Sequence, residues 1–400
     1  MKEQKEISNY RSVPEEGELY KRNFIHIPLE DFELTTNATG SGDVETKAYS
    51  SKAMSSYGIR FSAEAWPGGF VTHSKNITTI NRSAPFEGVG ADIGGRAVAF
   101  LESFADRTIE VNAAESDGEQ DLGLLLVSSS AREVLRLLVN AGQNSNLKLT
   151  VVSLSSSAKS FSGILCSVNA MDQSKVEINY IYNQGKNTVG VFATRAVAGS
   201  DASIQINNIY TGASIIKSIT AISLDGYRAR GKINEAAYLD SSQALDATTS
   251  IINIGKETVG SADSRVVANS GSSAIIKSYA KVYKGAEGAS SLIREKGITL
   301  DKNSKIEAIP MMAIDERNVK EAKHSAGVSP LSDEAVFYLC ARGIKPESAR
   351  NLVVKSMLAS SMAATSSTIS KVLSPSILFS KLDGAEYEGM PSSNVSGIWF

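Results

Sequence analysis

Apolar and polar positions alternate along the middle of this chain in short runs that restart about every fourteen residues. VLRLLVN begins at Val134, LKLTVVSL at Leu147, FSGILCSV at Phe161, KVEINYIY at Lys175, VGVFATR at Val189, SIQINNIY at Ser203 and IIKSITAISL at Ile215. Less regular starts follow near Gly231, Ala247, Ala262 and Ile275, with polar spacers such as NQGKN, GSDA and NSGSS between the runs. A beat held over about 150 residues marks a stack in which each unit buries its apolar face only against its neighbours. The middle of the chain is therefore predicted to be a β-solenoid.

Fourteen residues cannot complete a three-sided coil, because each strand takes about five residues and each corner several more. Two runs make one coil, which gives a flattened helix of two facing parallel sheets. The run at Lys175 then lies on one sheet, Val189 on the other, and Ser203 stacks back over Lys175. Within KVEINYIY, Val176, Ile178, Tyr180 and Tyr182 share one face, expected inward, and Glu177, Asn179 and Ile181 the other, expected to stay wet. An antiparallel sandwich has strands of similar length, but it calls for tight Asn-Gly or Asp-Gly hairpins, which are scarce here.

The flanks read differently. Residues 1–105 lack the beat and hold a Ser- and Thr-rich stretch and an isolated WPGG, Trp66 to Gly69, as in an irregular N-terminal domain with some helix that covers the first coil. Residues 106–315 are assigned to the β-helix and 316–400 to a C-terminal helical domain. Within the latter, Ser332 is a fitting N-cap, with Asp333 and Glu334 in the first turn where the helix dipole favours acids. Val336, Leu339 and Cys340 form its stripe, Gly343 ends it, and Pro346 opens a second helix striped by Ala349, Leu352, Val353 and Met357. This helical hairpin is expected to close the solenoid.

Composition narrows the function. The chain has 41 Lys and Arg against 43 Asp and Glu, a formal net charge of −2, and no basic run interleaved with aromatics, so nucleic acid is not an expected partner. The opening residues, polar and mixed in charge, do not read as a secretory signal, and no run approaches eighteen apolar residues, so no membrane is expected and the predicted location is cytoplasmic. Cys166 and Cys340, far apart in apolar strings, offer neither a disulfide framework nor a paired-cysteine metal site and read as core residues. GVGADIGG, Gly88 to Gly95, lacks the preceding strand and the following Lys-Ser/Thr of a phosphate loop. Among three histidines, His324 is the best placed, between the last runs and the helices.

From Ile306 to Met357, IEAIPMMAIDERNVKEAKHSAGVSPLSDEAVFYLCARGIKPESARNLVVKSM resembles the C-terminal signature of the SufB/SufD family. Pro310, Val319, His324, Phe337, Tyr338, Leu339, Arg342, Gly343, Ile344, Ala349, Leu352 and Val353 take the signature positions. Upstream, the coil around Thr258 and the entry segment from Arg132 are also similar, so the resemblance covers about residues 130 to 375. It implies a right-handed parallel β-helix between an N-terminal domain and C-terminal helices, in a non-catalytic subunit of an iron–sulfur cluster assembly scaffold. Pairing through the β-helix with a SufB-type chain and binding of the SufC-type ABC ATPase through the C-terminal helices are implied too, and an edge that pairs with such a chain can equally pair with itself as a homodimer. Outward positions there, Phe337, Tyr338, Arg342, Gly343, Lys345, Pro346 and Arg350, are the expected partner contacts.

Departures from the family pattern separate the possible roles. The cysteine that SufB-type chains carry near the end of the β-helix is replaced by Glu295, a hard ligand in place of a soft one. Ser325 stands where SufB-type chains have Glu, Asn253 at the coil histidine, and Ala322 where SufD-type chains often carry Cys. His324 remains as a candidate ligand for a transient iron–sulfur cluster shared with a partner, with Glu295 a weaker one and no intrinsic cofactor. That pattern fits a SufD-like subunit. A structural homodimer without iron handling is the alternative. A β-helix carbohydrate-active enzyme would need a carboxylate or basic cluster along one groove, whereas the outward positions here are mostly Ser, Asn, Thr and Ala.

Overall fold

The computed structural model describes residues 24–32, 77–80, 91–105, 107–128, 131–155, 159–382 and 397–399. Strand β1 (Ile77–Ile80) and helix α1 (Ala91–Phe104) precede the stack. Then come β2 (Arg107–Ala113), β3 (Glu119–Ser128), β4 (Arg132–Ala141), β5 (Asn146–Ser155), β6 (Ser160–Ala170), β7 (Lys175–Gln184), β8 (Thr188–Ala198) and β9 (Ser203–Gly212). They continue as β10 (Ile215–Leu224), β11 (Arg230–Leu239), β12 (Ala244–Asn253), β13 (Val259–Ala268), β14 (Ser273–Val282), β15 (Ser290–Thr299), β16 (Lys305–Ile314) and β17 (Glu321–Pro330). Helices α2 (Asp333–Cys340), α3 (Pro346–Met362) and α4 (Thr368–Leu382) and strand β18 (Gly397–Trp399) complete the order.

Even-numbered strands from β2 to β16 form one parallel sheet and odd-numbered strands from β3 to β17 the other. Lys175 pairs with Ser203, two runs on, as the fourteen-residue beat requires. The solenoid is thus the two-sheet, flattened form. One corner repeats the same device coil after coil. Asn144, Gln173, Asp201, Arg228 and Glu257 all adopt left-handed backbone, with φ between 54° and 63°. Each donates its N–H to the corner carbonyl of the next coil, Gln173 to Ser200 and Asp201 to Tyr227 at 2.8 Å, so the uncommon conformation is repaid by a stacked hydrogen bond. At the other corner Gly212 (φ +83°) is obligatory, since a Cβ there would lie 1.9 Å from the Gln184 carbonyl oxygen.

The interior between the sheets is aliphatic at most levels, with Leu124, Leu137, Leu149, Ile178, Ile206, Ile222 and Ile233 inward. An aromatic layer crosses it: Tyr182 stacks on Phe192 at 3.7 Å and on Tyr210 at 5.5 Å between ring centroids.

The outward faces are not wet as expected. Helix α1 and the segment around Ile27 and Leu29 cover the even sheet over Phe161, Leu165, Val191 and Ile219. Helices α3 and α4 cover the odd sheet, packing Val354, Leu358, Leu373 and Ile377 on Val152, Ile181 and Ile209. Glu177, Asn179 and Ile181 are buried accordingly. The helices therefore lie along the flank of the stack and do not close its end.

Other boundaries shift as well. β17 pairs in parallel with β15, so the solenoid continues to Pro330, past the boundary expected at residue 315. The stripe of α3 is offset by about one position: Ala349, Val354, Leu358 and Met362 are buried, while Leu352 is exposed. Helix α4, with Pro375 inside it, is not anticipated by the sequence pattern. Trp66 to Gly69 and Gly88 to Gly90 lie outside the described residues.

Candidate functional site

The two ends of the stack are finished differently. At the first coil β1 pairs antiparallel with β2, and β18 antiparallel with β3, so both edges are occupied. At the last coil, no strand among the described residues lies beyond β16 or β17. Every residue of β17 except Ala322 is exposed, and β16 is only half-covered. Pro310 falls in β16, a place that suits an edge strand because proline removes a ladder donor.

Glu295 sits one step inside this open end. Its strand β15 pairs it with Ser264, and Ser264 with Glu235, so the three share an inward column on the odd sheet. Glu235 is fully enclosed and satisfied: Tyr210 Oη donates to Oε1 at 2.9 Å and Ser264 Oγ to Oε2 at 2.8 Å. Burial raises its pKa above the usual carboxylate value, against the opposing pull of those donors. Glu295 is as deeply buried, and neither carboxyl oxygen completes a hydrogen bond of good geometry. Burial pushes its pKa up to about 7; the Ser278 hydroxyl across the interior pulls the other way, and the Glu235 charge adds to the rise.

His324 pairs with Ile293 on β15, which is two residues from Glu295 and inward like it. The register therefore sets His324 and Glu295 on one face of adjacent strands, as diagonal neighbours. Glu295 is sealed beneath and His324 is exposed at the mouth. The other positions singled out from sequence do not join them. Asn253 is buried and tied to Ser291 Oγ at 2.6 Å and Thr258 Oγ1 at 3.0 Å, so it is a corner brace. Cys166 is a core residue whose thiol burial pushes up to about 12, and Cys340 is half-buried in α2. Among the described residues, no group of three or more His, Cys, Asp or Glu side chains is placed to hold a metal ion. At this end of the stack the register thus sets one exposed imidazole beside one buried, protonatable carboxyl, and neither cysteine lies on its strands.

Beside the open end stands α2. Ser332 accepts from the Ala335 N–H at 3.1 Å, and Gly343 (φ +86°) ends the turn where Ile344 N–H returns to the Leu339 carbonyl at 3.3 Å. Pro346 opens α3 as the sequence suggests. Phe337 is 74% exposed and Tyr338 57%, with the Arg342 guanidinium stacked 3.6 Å from the Tyr338 ring centroid. Lys345 and Pro346 are exposed, and Arg350 reaches the Leu300 carbonyl at 3.3 Å. Among the described residues these two are the most exposed of the large apolar side chains, the kind of surface that marks a candidate contact. Sequence reasoning passed over Glu235; an acid at an inward parity of an alternating strand was the available signal.

A protein-family model, the SufBD core domain of the SUF system for FeS cluster assembly, matches residues 124–357, more than half of the chain. The chain belongs to this family. Among curated relatives it is 28% identical over 174 residues to the iron-sulfur cluster assembly protein SufB of Bacillus subtilis, covering 44% of this chain and 37% of that one. It is 25% identical over 181 residues to an iron-sulfur cluster assembly SufBD family protein of Mycobacterium bovis, covering 45% of this chain and 21% of that one. A Staphylococcus epidermidis member of the family is 25% identical over 179 residues, 38% of its length. The chain thus spans well under half the length of the curated relatives it matches. The matched region takes in the solenoid from β3 onward and α2 with most of α3, which includes both Glu295 and His324. No helix among the described residues is long and apolar enough to cross a membrane.

Proposed function

We propose that this chain is a SufD-like, non-catalytic subunit of a cytoplasmic iron–sulfur assembly scaffold. Its open last coil stacks against a SufB-type chain, and α2 with the start of α3 receives a SufC-type ABC ATPase. The observation that carries the reading is the half-site at the last coil: His324 at the mouth and Glu295 beneath it, with no thiolate beside them. A nascent iron–sulfur cluster, the cargo of such a scaffold, needs soft ligands that this end does not supply. The missing sulfur ligand would come from the partner across the coil edge, and His324 would complete the set. Exposed Phe337 and Tyr338, close to that edge, support an ATPase contact from which force on the helices would reach the joint.

The test is anaerobic affinity purification of the tagged chain from its native cell, with mass spectrometry of what accompanies it. Recovery of an ABC-type ATPase and a cysteine-bearing paralogue is expected, and His324→Ala should keep both partners while abolishing cluster formation on the complex. Recovery of the chain as a lone homodimer, with ATP present, overturns the reading in favour of a purely structural protein.

A further inference from the structure

The C-terminal arm meets the odd sheet along two chemically different strips. One is apolar, formed by the second half of each strand, where Val152, Ile181 and Ile209 receive Leu358, Leu373 and Ile377. The other runs along the first half. The register places Asp121, Lys148, Glu177 and Gln205 side by side on β3, β5, β7 and β9. Three of these four grip the turn between α3 and α4. Glu177 accepts from the Ser366 N–H at 2.9 Å and Ser366 Oγ at 2.5 Å, from the Ser367 N–H at 3.3 Å, and from the Thr365 hydroxyl. Asp121 accepts from Ser367 Oγ at 2.7 Å and the Thr368 N–H at 2.8 Å, and Gln205 donates to the Ala364 carbonyl at 2.8 Å.

Behind Glu177 the column is backed by amides. Asn179 donates to Glu177 Oε1 at 3.0 Å, Asn207 to Asn179 at 2.7 Å and Asn234 to Asn207 at 2.6 Å, a ladder running along β7, β9 and β11. The carboxylate is thus oriented from both sides. Burial by itself would raise its pKa, yet the hydrogen bonds from Ser366, Thr365 and Asn179 outweigh that and hold it below the usual value. Both acids also stand at the N-terminus of the 15-residue α4, where the helix dipole favours negative charge. Toward the open end the polar contacts thin to single bonds, Arg265 to the Met357 carbonyl and Arg350 to the Leu300 carbonyl, each at 3.3 Å, and the arm is held there by apolar packing on Tyr238, Val267 and Ile298.

We propose that the Glu177–Asp121 column is the anchor of the C-terminal arm, fixing the α3–α4 turn to the early coils while leaving α2 and the start of α3 as the end that a partner moves. Glu177 acts as a positioning residue for the contact surface, and this role rests on the reading of that surface as the ATPase contact. A displacement of α2 would be resisted at the turn and passed into β7, in the first half of the stack.

The experiment is amide hydrogen exchange of the full chain, comparing Glu177→Ala, Glu177→Asp and Asp121→Asn with the unmodified protein. In Glu177→Ala the amides of α4 should exchange about tenfold faster or more, while those of β7–β14 keep their protection, since the opening is local. Glu177→Asp should restore part of the protection. Should Glu177→Ala fail to fold, Asp121→Asn, which spares the Glu177 contacts, should show the same localised change at smaller amplitude. Unchanged protection of α4, or equal loss in α4 and the strands, overturns the anchor. The two readings fail separately: a localised effect in a chain that captures no ATPase would leave the anchor standing and remove the assembly role.

Discussion

The first and last coils of the solenoid are built from the same kind of strand and end in opposite ways. β2 and β3 are each bordered by an antiparallel strand, and the side chains they turn inward, such as Leu124, are buried. β17 turns the same parity of positions toward open space, so that His324 and Val328 are exposed. The difference lies in what covers the strands and in what they carry: β3 turns Leu122, Leu124 and Leu126 inward, whereas β17 has Ala322, His324, Ala326 and Val328 at the same parity. A stack of this kind needs a cover at each end to satisfy its edge groups. Here the chain covers one end itself, and the uncovered end carries the candidate ligands.

Mutations can break this comparison in order of size. Leu124→Ala, in the covered first coil, should cost about 2–5 kcal/mol in denaturant unfolding, the range for deleting a buried leucine side chain. A loss below about 1 kcal/mol would mean that the first coil is as loose as the last. Next in size is the pH response of Glu295. Its folded value near 7 lies above the 4.5 of the free carboxyl, so the folded state holds a proton that the unfolded chain releases between the two. Stability should therefore fall as pH rises from about 4.5 through about 7, by up to about 3 kcal/mol, and Glu295→Gln should flatten that decline. Urea melts across this window on the metal-free chain are the check, and an unchanged slope in the variant would assign the decline elsewhere.

Smaller still is Ser332→Ala, which removes the cap of α2 beside the open end and should cost about 1 kcal/mol. Its sharper readout is frayed α2 in hydrogen exchange, with the solenoid strands unaffected. The smallest effect is expected at the open end itself. Val328→Ala should change unfolding by less than about 0.5 kcal/mol in the isolated chain, as for surface positions generally. In a purified complex the same substitution should weaken association, which separates a partner-facing residue from an idle one.

The solenoid was legible because its beat is enforced by geometry. Each inward apolar position repeats with period two, and each coil must return to the same register, so the spacing of the runs at Lys175 and Ser203 is enough to pair them. The last coil escaped because EAKHSAGVSP has no buried face to impose alternation, and its exposure erased the pattern. The covered outer faces were equally hidden: Glu177, Asn179 and Asn207 look like solvated positions, and only the distant Thr365–Thr368 turn makes them interior. Helix α4 was masked by Pro375 and by the serines that line its buried side, Ser370 and Ser374. As for the site, His324 and Glu295 could be named individually from the family resemblance. Their placement as neighbours depends on the lengths of the two corners that flank β16, which sequence alone leaves open.

The contact of α4 with β3 and β7 has a consequence for how the molecule comes apart. A linear stack held only by nearest neighbours can fray coil by coil from either end. Here residues late in the sequence, from Thr365 to Leu382, return to strands early in it, with Thr368 bonded to Asp121 across 247 positions of sequence. That return closes the stack into a ring of dependence. The early coils cannot peel away without releasing the arm, and the arm cannot dock until those coils exist, so unfolding of the covered part should be a single cooperative event. Among the described residues, no hydrogen bond joins α4 to the coil formed by β16 and β17, and that coil is expected to open on its own.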